Sequence, residues 1–331
     1  MENFWKNKSV FVTGAGGFIG SHLVETLVEK GAQVRSFVRY NSRSDPGLLK
    51  LLAPGAISKI KVIRGDLRDL PALNESINGA EFVIHLGALI SIPYSYSHPR
   101  DVVECNVIGT LNVLQACRQN NVKRLVHTSS SEVYGTALKV PIDETHPLQG
   151  QSPYSASKIG ADKLVESFQL SYGLPAVTVR PFNTYGPRQS TRAVIPAIIT
   201  QALTQSRIGL GNLDASRDFT YVSDTVEAIL KATQVPDLEG KILNLGTGNE
   251  IRIGDLANEI IKMVGRKVEI VIDSDRLRPD NSEVQRLVSD NRQAVEYLDW
   301  KPKTNLNSGL LETIDWYKNN IDLFQANRYF I

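Results

Sequence analysis

The run Thr13-Gly14-Ala15-Gly16-Gly17-Phe18-Ile19-Gly20 constrains this chain more than any other feature. It follows Ser9-Val10-Phe11-Val12, a short apolar run that reads as a buried strand. It opens a segment over 17–30 that reads as a helix, with Gly31 at the C-terminal cap. Glycines at 14, 17 and 20 permit a tight turn, let backbone approach a phosphate closely and bring helix against strand. The helix start adds free N–H groups and a partial positive charge, both favourable to an anion. Glycines also make plain turns, but here they sit between a strand and a helix at the head of an alternating α/β pattern. The run therefore reads as a pyrophosphate loop, with Gly14, Gly17, Phe18, Ile19 and Gly20 as its contacts.

The alternation continues. Strands are predicted over 34–38, 60–63, 82–86, 124–127 and 176–179, and long helices over 101–119 and 153–172. Strand–helix alternation with right-handed crossovers gives an α/β fold, a Rossmann doubly wound parallel sheet. After Pro181 the rhythm loosens. A helix over 218–233 and a strand over 242–245 read as returning to the large domain, so residues 1–181 plus about 217–250 are expected to form it. Residues from about 182–216 plus 251–331 are expected to form a smaller C-terminal substrate lobe.

Composition excludes several function classes. The 331 residues carry a formal net charge of only +2 and no basic run, which leaves no electrostatic footprint for nucleic acid. The two cysteines, Cys105 and Cys117, form no metal-binding pattern and no disulfide framework, so no metal is expected. No apolar run approaches the ~20 residues of a membrane span or forms a signal peptide. A cytoplasmic protein without a membrane partner is the expectation.

Two features speak to the cofactor. An acid at the end of the second strand commonly holds a ribose 2′-hydroxyl. Here that place has Arg39, and no acid occurs until Asp45. An arginine suits a 2′-phosphate, so NADP is expected, with NAD as the alternative. After the third strand, Asp66-Leu67 offers a carboxylate to an adenine amino group.

The chemistry gathers in Ser152-Pro153-Tyr154-Ser155-Ala156-Ser157-Lys158. Ser152 is a good N-cap and Pro153 suits the first helical position. Tyr154 and Lys158 then share one helix face at i and i+4. A phenol of ordinary pKa, about 10, is a poor base at neutral pH. A nearby lysine and a positive nicotinamide favour its phenolate. Strand five ends in Thr128-Ser129-Ser130-Ser131-Glu132-Val133-Tyr134-Gly135, and open α/β sheets bind ligands at such carboxyl ends. Ser130 and Ser131 are placed to bind a reacting hydroxyl, and Glu132 to take a proton from carbon.

Together these residues resemble the extended short-chain dehydrogenase/reductase family. The similarity adds His85-Leu86-Gly87-Ala88, Pro181-Phe182-Asn183-Thr184-Tyr185-Gly186-Pro187-Arg188 and Arg217-Asp218-Phe219-Thr220-Tyr221-Val222-Ser223-Asp224. It implies a tightly bound, recycled nicotinamide dinucleotide touching Leu86, Gly87 and Ala88, where alanine is commoner at 87 and glycine is expected to be harmless. Within the family, Ser-Glu-Val-Tyr-Gly at 131–135 is similar to nucleotide-sugar 4,6-dehydratases and decarboxylases. Serine at 131 follows the mannose-type rather than the glucose-type pattern. The stretches 37–43 and 88–96 resemble N-acetylglucosamine 4,6-dehydratases. The resemblance implies substrate contacts at Ser91, Asn183, Arg188, Arg217 and Arg278, the arginine forks suiting a diphosphate. It implies a nucleotide-diphosphate-sugar substrate, with a 4-epimerase or a uronate decarboxylase as alternatives. It further implies a homodimer built on the two long helices, with Leu111, Val113, Leu114, Leu164 and Phe168 as candidate apolar positions.

Overall fold

The computed structural model describes residues 4–323, so the ends of both expected domains, 1–3 and 324–331, lie outside the described residues. Seven parallel strands form the central sheet: β1 (Ser9–Thr13), β2 (Gln33–Arg39), β3 (Ile60–Gly65), β4 (Phe82–His85), β5 (Arg124–Thr128), β6 (Ala176–Pro181) and β7 (Ile242–Leu245). Their spatial order is β7-β6-β5-β4-β1-β2-β3. The order reverses between β1 and β4, and the crevice at that switch point opens at the strands' carboxyl ends. Every strand in this sheet is β-branched or aromatic in character, and both faces are covered. Val10, Val12, Ile84 and Val126 pack in one apolar cluster, and Phe11, Val83 and Leu125 in the other.

Helix α1 (Phe18–Glu29) begins at Gly17 and ends at Lys30, with Gly31 at φ +82°, as expected from the glycine. The expected helix over 101–119 starts earlier, at Pro99, and carries a π turn at Glu104–Ile108 before its last segment, Gly109–Gln119. Within that turn, buried Asn106 accepts from Leu89 N (2.7 Å) and donates to Leu89 O (3.0 Å) and Ser157 Oγ (2.9 Å). One side chain thus links the loop after β4 to the helix Pro153–Tyr172. That helix has the expected bounds, a Ser152–Ser155 capping box and Gly173 in the left-handed conformation at its end.

The helix expected over 218–233 starts four residues late, at Val222. Asp218 is fully buried and accepts from Thr247 N, Thr247 Oγ1, Gly248 N and Ser289 N, so its backbone is held outside the helix. Beyond β6 the chain forms small sheets: Thr184–Tyr185 with Thr220–Tyr221, Arg207–Leu210 with Glu269–Ile272, and Ser216–Arg217 between Ile251–Arg252 and Arg286–Leu287. Val194–Thr204, Ile253–Val264 and Leu306–Asn319 are the longer helices among these sheets.

Candidate active site

The glycine loop has the geometry of a phosphate cradle. Gly14 lies at φ +67°, and a Cβ there would stand 2.7 Å from Gly87 N. At Gly20 a Cβ would stand 2.2 Å from Gly14 O, so helix and strand meet only because it is absent. No side chain caps α1 and no acid occupies its first turn, which leaves the helix start open to an anion. These residues fit a dinucleotide pyrophosphate. Thr13 Oγ1 accepts from Gly87 N (3.0 Å) and lies 2.7 Å from His85 Nδ1, joining the ends of β1 and β4 at the switch point. Leu86, Gly87 and Ala88 follow directly, half-buried. A Cβ at 87 would stand 2.9 Å from Leu67 Cδ1 and 3.1 Å from Thr13 Oγ1. The glycine is therefore matched to buried Leu67 rather than incidental.

Arg39 ends β2 exposed, beside Gly65 of β3. The loop beyond it folds back over the glycine loop, with Leu48 N donating to Gly16 O at 2.9 Å. Asp45, the first acid in that loop, is committed to Lys50 (3.2 Å) and Gly47 N (2.9 Å), and the hydrogen bond from Lys50 holds its carboxyl below the ordinary value. Asp66 differs from a free adenine acceptor. Its carboxylate takes Arg68 in a fork, at 2.9 Å from Nε and 2.6 Å from Nη2, because the two side chains face each other across one residue. Oδ1 also accepts from Arg68 N (2.9 Å), so one lone pair, on Oδ2, is left for a further donor.

Tyr154 and Lys158 both turn inward beneath the end of β5. Lys158 Nζ donates to Thr128 O at 2.8 Å. Burial pulls its pKa down to about 8, opposed by the charge of Asp162. Tyr154 is hydrogen-bonded to Ser130, yet burial pushes the phenol up to about 12. The expected help for the phenolate from Lys158 and a positive nicotinamide therefore works against burial. The ammonium is held on a backbone carbonyl, and dehydration of the site outweighs the hydrogen bond to Ser130. The phenol is neutral at physiological pH until a positive nicotinamide stands beside it.

Ser130 also caps the turn Ser131–Tyr134 by accepting from Glu132 N at 3.2 Å. Ser131 is buried, at 3% exposure. The Glu132 carboxylate reaches the cleft, where Arg278 Nη1 lies 3.6 Å from Oε2. Arg217, also buried, donates to Ser216 O (3.0 Å) and lies 3.5 Å from Glu283. Residues far apart in sequence therefore form a cluster of two arginines and two glutamates. A cavity of about 700 Å³ adjoins it, lined by Arg278, Glu283, Leu213, Gly211 and Leu277. Asn183 O accepts from Thr220 N (3.1 Å), and its Nδ2 donates to Asp218 O (3.4 Å). Ser91 caps the helix Ile92–Ser97 by accepting from Tyr94 N (3.3 Å), which leaves its hydroxyl proton to donate.

Arg188, expected at a diphosphate, divides its guanidinium, and its buried Nη1 has no hydrogen-bond partner. Its Nη2 is 2.7 Å from Glu25 on α1, so the side chain fastens the 182–188 segment to the Rossmann helix. Sequence reasoning missed Asn106, Asp162 and Arg180. Asp162 continues the Tyr154–Lys158 spacing by another four residues, a signal that was open to view.

The family model described as GDP-mannose 4,6 dehydratase matches residues 11–313. The UDP-glucose 4-epimerase of Mycolicibacterium smegmatis is 33% identical over 93% of this chain and 98% of its own. The structure of UDP-N-acetylglucosamine 4-epimerase from Methanobrevibacter ruminantium M1, in complex with UDP-N-acetylmuramic acid, superposes with a TM-score of 0.86 at 30% identity, covering 95% of this chain and 99% of its own. The structure of DesIV, a dTDP-glucose 4,6-dehydratase from Streptomyces venezuelae with NAD bound, gives 0.85 at 27% identity over 96% and 98%. The chain belongs to the GDP-mannose 4,6-dehydratase family of extended short-chain dehydrogenase/reductases, the nucleotide-sugar dehydratases and epimerases.

Proposed function

We propose that this protein is a nucleotide-sugar 4,6-dehydratase acting on a nucleoside-diphosphate N-acetylglucosamine. The observation that carries the reading is Glu132: a carboxylate two residues past Ser130, near enough for its charge to act on Tyr154, and 3.6 Å from Arg278 of the arginine cluster. A 4-epimerase needs no base for a carbon-bound proton. Arg217 and Arg278 would hold the diphosphate, which sets the sugar over Tyr154. Tyr154 takes the proton of the sugar 4-hydroxyl, and Ser130 steadies that oxygen. A bound nicotinamide would supply the hydride chemistry, as acceptor for the C4 hydride and donor to C6. The 4-ketone acidifies the C5 hydrogen; Glu132 removes it and passes the proton to the departing C6 hydroxyl, which leaves as water, and a proton from solvent returns to C5 as hydride reaches C6. The N-acetylglucosamine assignment is supported by the stretches 37–43 and 88–96 and by the likeness to a UDP-N-acetylglucosamine epimerase.

NADP is the proposed dinucleotide. Arg39 is exposed at the end of β2, Asp45 is turned to Lys50, and Arg64 Nη2 anchors Ser44 O at 2.9 Å, so the loop presents cations where a 2′-phosphate would lie. A homodimer is proposed on the two long helices. Val113, Leu114 and Phe168 prove to be packed against the sheet, because they are buried in the same cluster as Leu125. Val103, Ile108, Leu170 and Tyr172 are the exposed apolar side chains there. The proposed lobe division and a cytoplasmic location complete the reading.

The epimerase reading is favoured by the relatives so named. Incubation with UDP-N-acetylglucosamine and mass analysis decides between them. Loss of one water supports dehydration, and an unchanged mass with an inverted C4 supports epimerisation.

A further inference from the structure

Behind Tyr154 and Lys158 lies a sealed polar cluster that the reaction above does not use. Asp162 stands one turn past Lys158 and two past Tyr154, on the same face of their helix. It is 4% exposed. Its Oδ1 is 3.2 Å from His127 Nε2 on β5, and its Oδ2 accepts from Arg180 Nε and Nη2 on β6 at 3.1 and 2.9 Å. Arg180 also donates to the Tyr134 hydroxyl (2.9 Å), which donates to Asn244 Oδ1 on β7 (2.7 Å). Two adjacent strands therefore meet on one carboxylate, and a third joins through Tyr134. Such a buried anion costs several kcal/mol unless it is paired and hydrogen-bonded. This one is both, so a fixed negative charge is held in the dry interior just behind an ammonium.

The groups facing Lys158 come from four elements. Tyr154 and Asp162 share its helix, Cys105 comes from the π turn, His85 from β4 and His127 from β5. Burial drives both imidazoles below their ordinary value and the thiol above its own, so all three are neutral near pH 7. Asp162 is the ionised carboxylate of the set.

We propose that Asp162 is a positioning residue for the reaction: its fixed charge keeps the Lys158 ammonium protonated, on Thr128 O, in a site too dry to hold it unaided. Without that charge Lys158 becomes a neutral amine at working pH and no longer offers the proton-handling tyrosine a cation. The effect on Tyr154 itself is mixed, since the Asp162 charge also disfavours the phenolate. The test therefore reads Lys158. The inference rests on the Tyr154–Lys158 pair proposed above, but not on which product the sugar becomes.

The protein is labelled with [ε-13C]lysine and saturated with NADP, and the Lys158 resonance is assigned by its loss in Lys158→Met. Its midpoint is then followed against pH. The expected result is an Asp162→Asn midpoint at least about one pH unit below wild type, a tenfold change in the Lys158 equilibrium. Asp162→Glu should restore most of it. Arg180→Gln, which unmasks the carboxylate, should move the midpoint upward. If Asp162→Asn fails to fold because Arg180 is orphaned, Asp162→Asn/Arg180→Gln removes both charges and is expected to titrate below wild type. An unmoved midpoint in either folded Asn variant overturns the proposal, and so does a wild-type midpoint below about 7. Cofactor reduction by UDP-N-acetylglucosamine supplies a second readout. Its alkaline limb should shift down with Lys158, whereas a merely structural role lowers the rate at all pH values alike. Failure of the dehydratase reading would show instead in the product's mass, with the Lys158 midpoints unchanged.

Discussion

Replacing Glu132 with glutamine separates oxidation of the sugar from loss of water. Glutamine keeps the shape and an oxygen facing Arg278 but cannot accept the C5 proton. General-base removal costs ~10²–10⁴-fold in rate, equivalent to about 3–5 kcal/mol of barrier. The effect on folding is smaller. At 3.6 Å the attraction to Arg278 is roughly 5 kcal/mol with an effective dielectric of about 20. Most of that offsets desolvation of two groups that are 13% and 24% exposed, leaving on the order of 1 kcal/mol. The variant should therefore melt within a few degrees of wild type while its dehydration nearly stops. Mixing it with UDP-N-acetylglucosamine in a stopped-flow cell should still produce nicotinamide absorbance, because Tyr154 and Ser130 are untouched. Mass analysis should find almost no dehydrated product, and deuterium from solvent should not enter C5. Dehydration at the wild-type rate would show that Glu132 is not the base and return weight to epimerisation.

Tyr154→Phe should show neither reduced cofactor nor product in the same assay, since no other group takes the 4-hydroxyl proton; a normal absorbance burst would remove Tyr154 from that role. Denaturing the purified protein should release NADP on chromatography, and Arg39→Ala should weaken NADP binding by about tenfold while leaving NAD little changed; recovery of NAD alone contradicts the assignment. Acid stability should report the Asp162 cluster. Burial would raise that carboxyl, but His127 and Arg180 hold it at about 2, below its ordinary 3.8. A folded value below the unfolded one stabilises above about pH 4 and is lost as pH falls towards 2, on the order of 2 kcal/mol. Urea midpoints should accordingly fall less steeply over that range in Asp162→Asn than in wild type. Light scattering at micromolar concentration should give twice the 36.6 kDa chain mass; a monomer would leave Val103, Ile108, Leu170 and Tyr172 without a partner.

Local rules made much of this protein legible in one dimension. The order of strands and helices, the glycine loop, the capped start at Ser152 and the Tyr154–Lys158 spacing are all short-range features, set by backbone geometry and periodicity within about ten residues. Strand ends were misjudged by one or two residues, since pairing with neighbours extends β2 to Arg39 and β6 to Pro181. The electrostatics belonged to the tertiary structure alone. Which partner a buried charge finds depends on strands far apart in sequence, as when Arg180 and His127 meet Asp162. The same holds for Arg188, whose sequence context suggested a diphosphate but whose guanidinium meets Glu25, 163 residues away. Tyr154 shows the limit most plainly. Its spacing from Lys158 follows from the helix, but its protonation follows from dehydration by everything packed around it. A free energy of burial is a property of the whole fold and has no short-range signature.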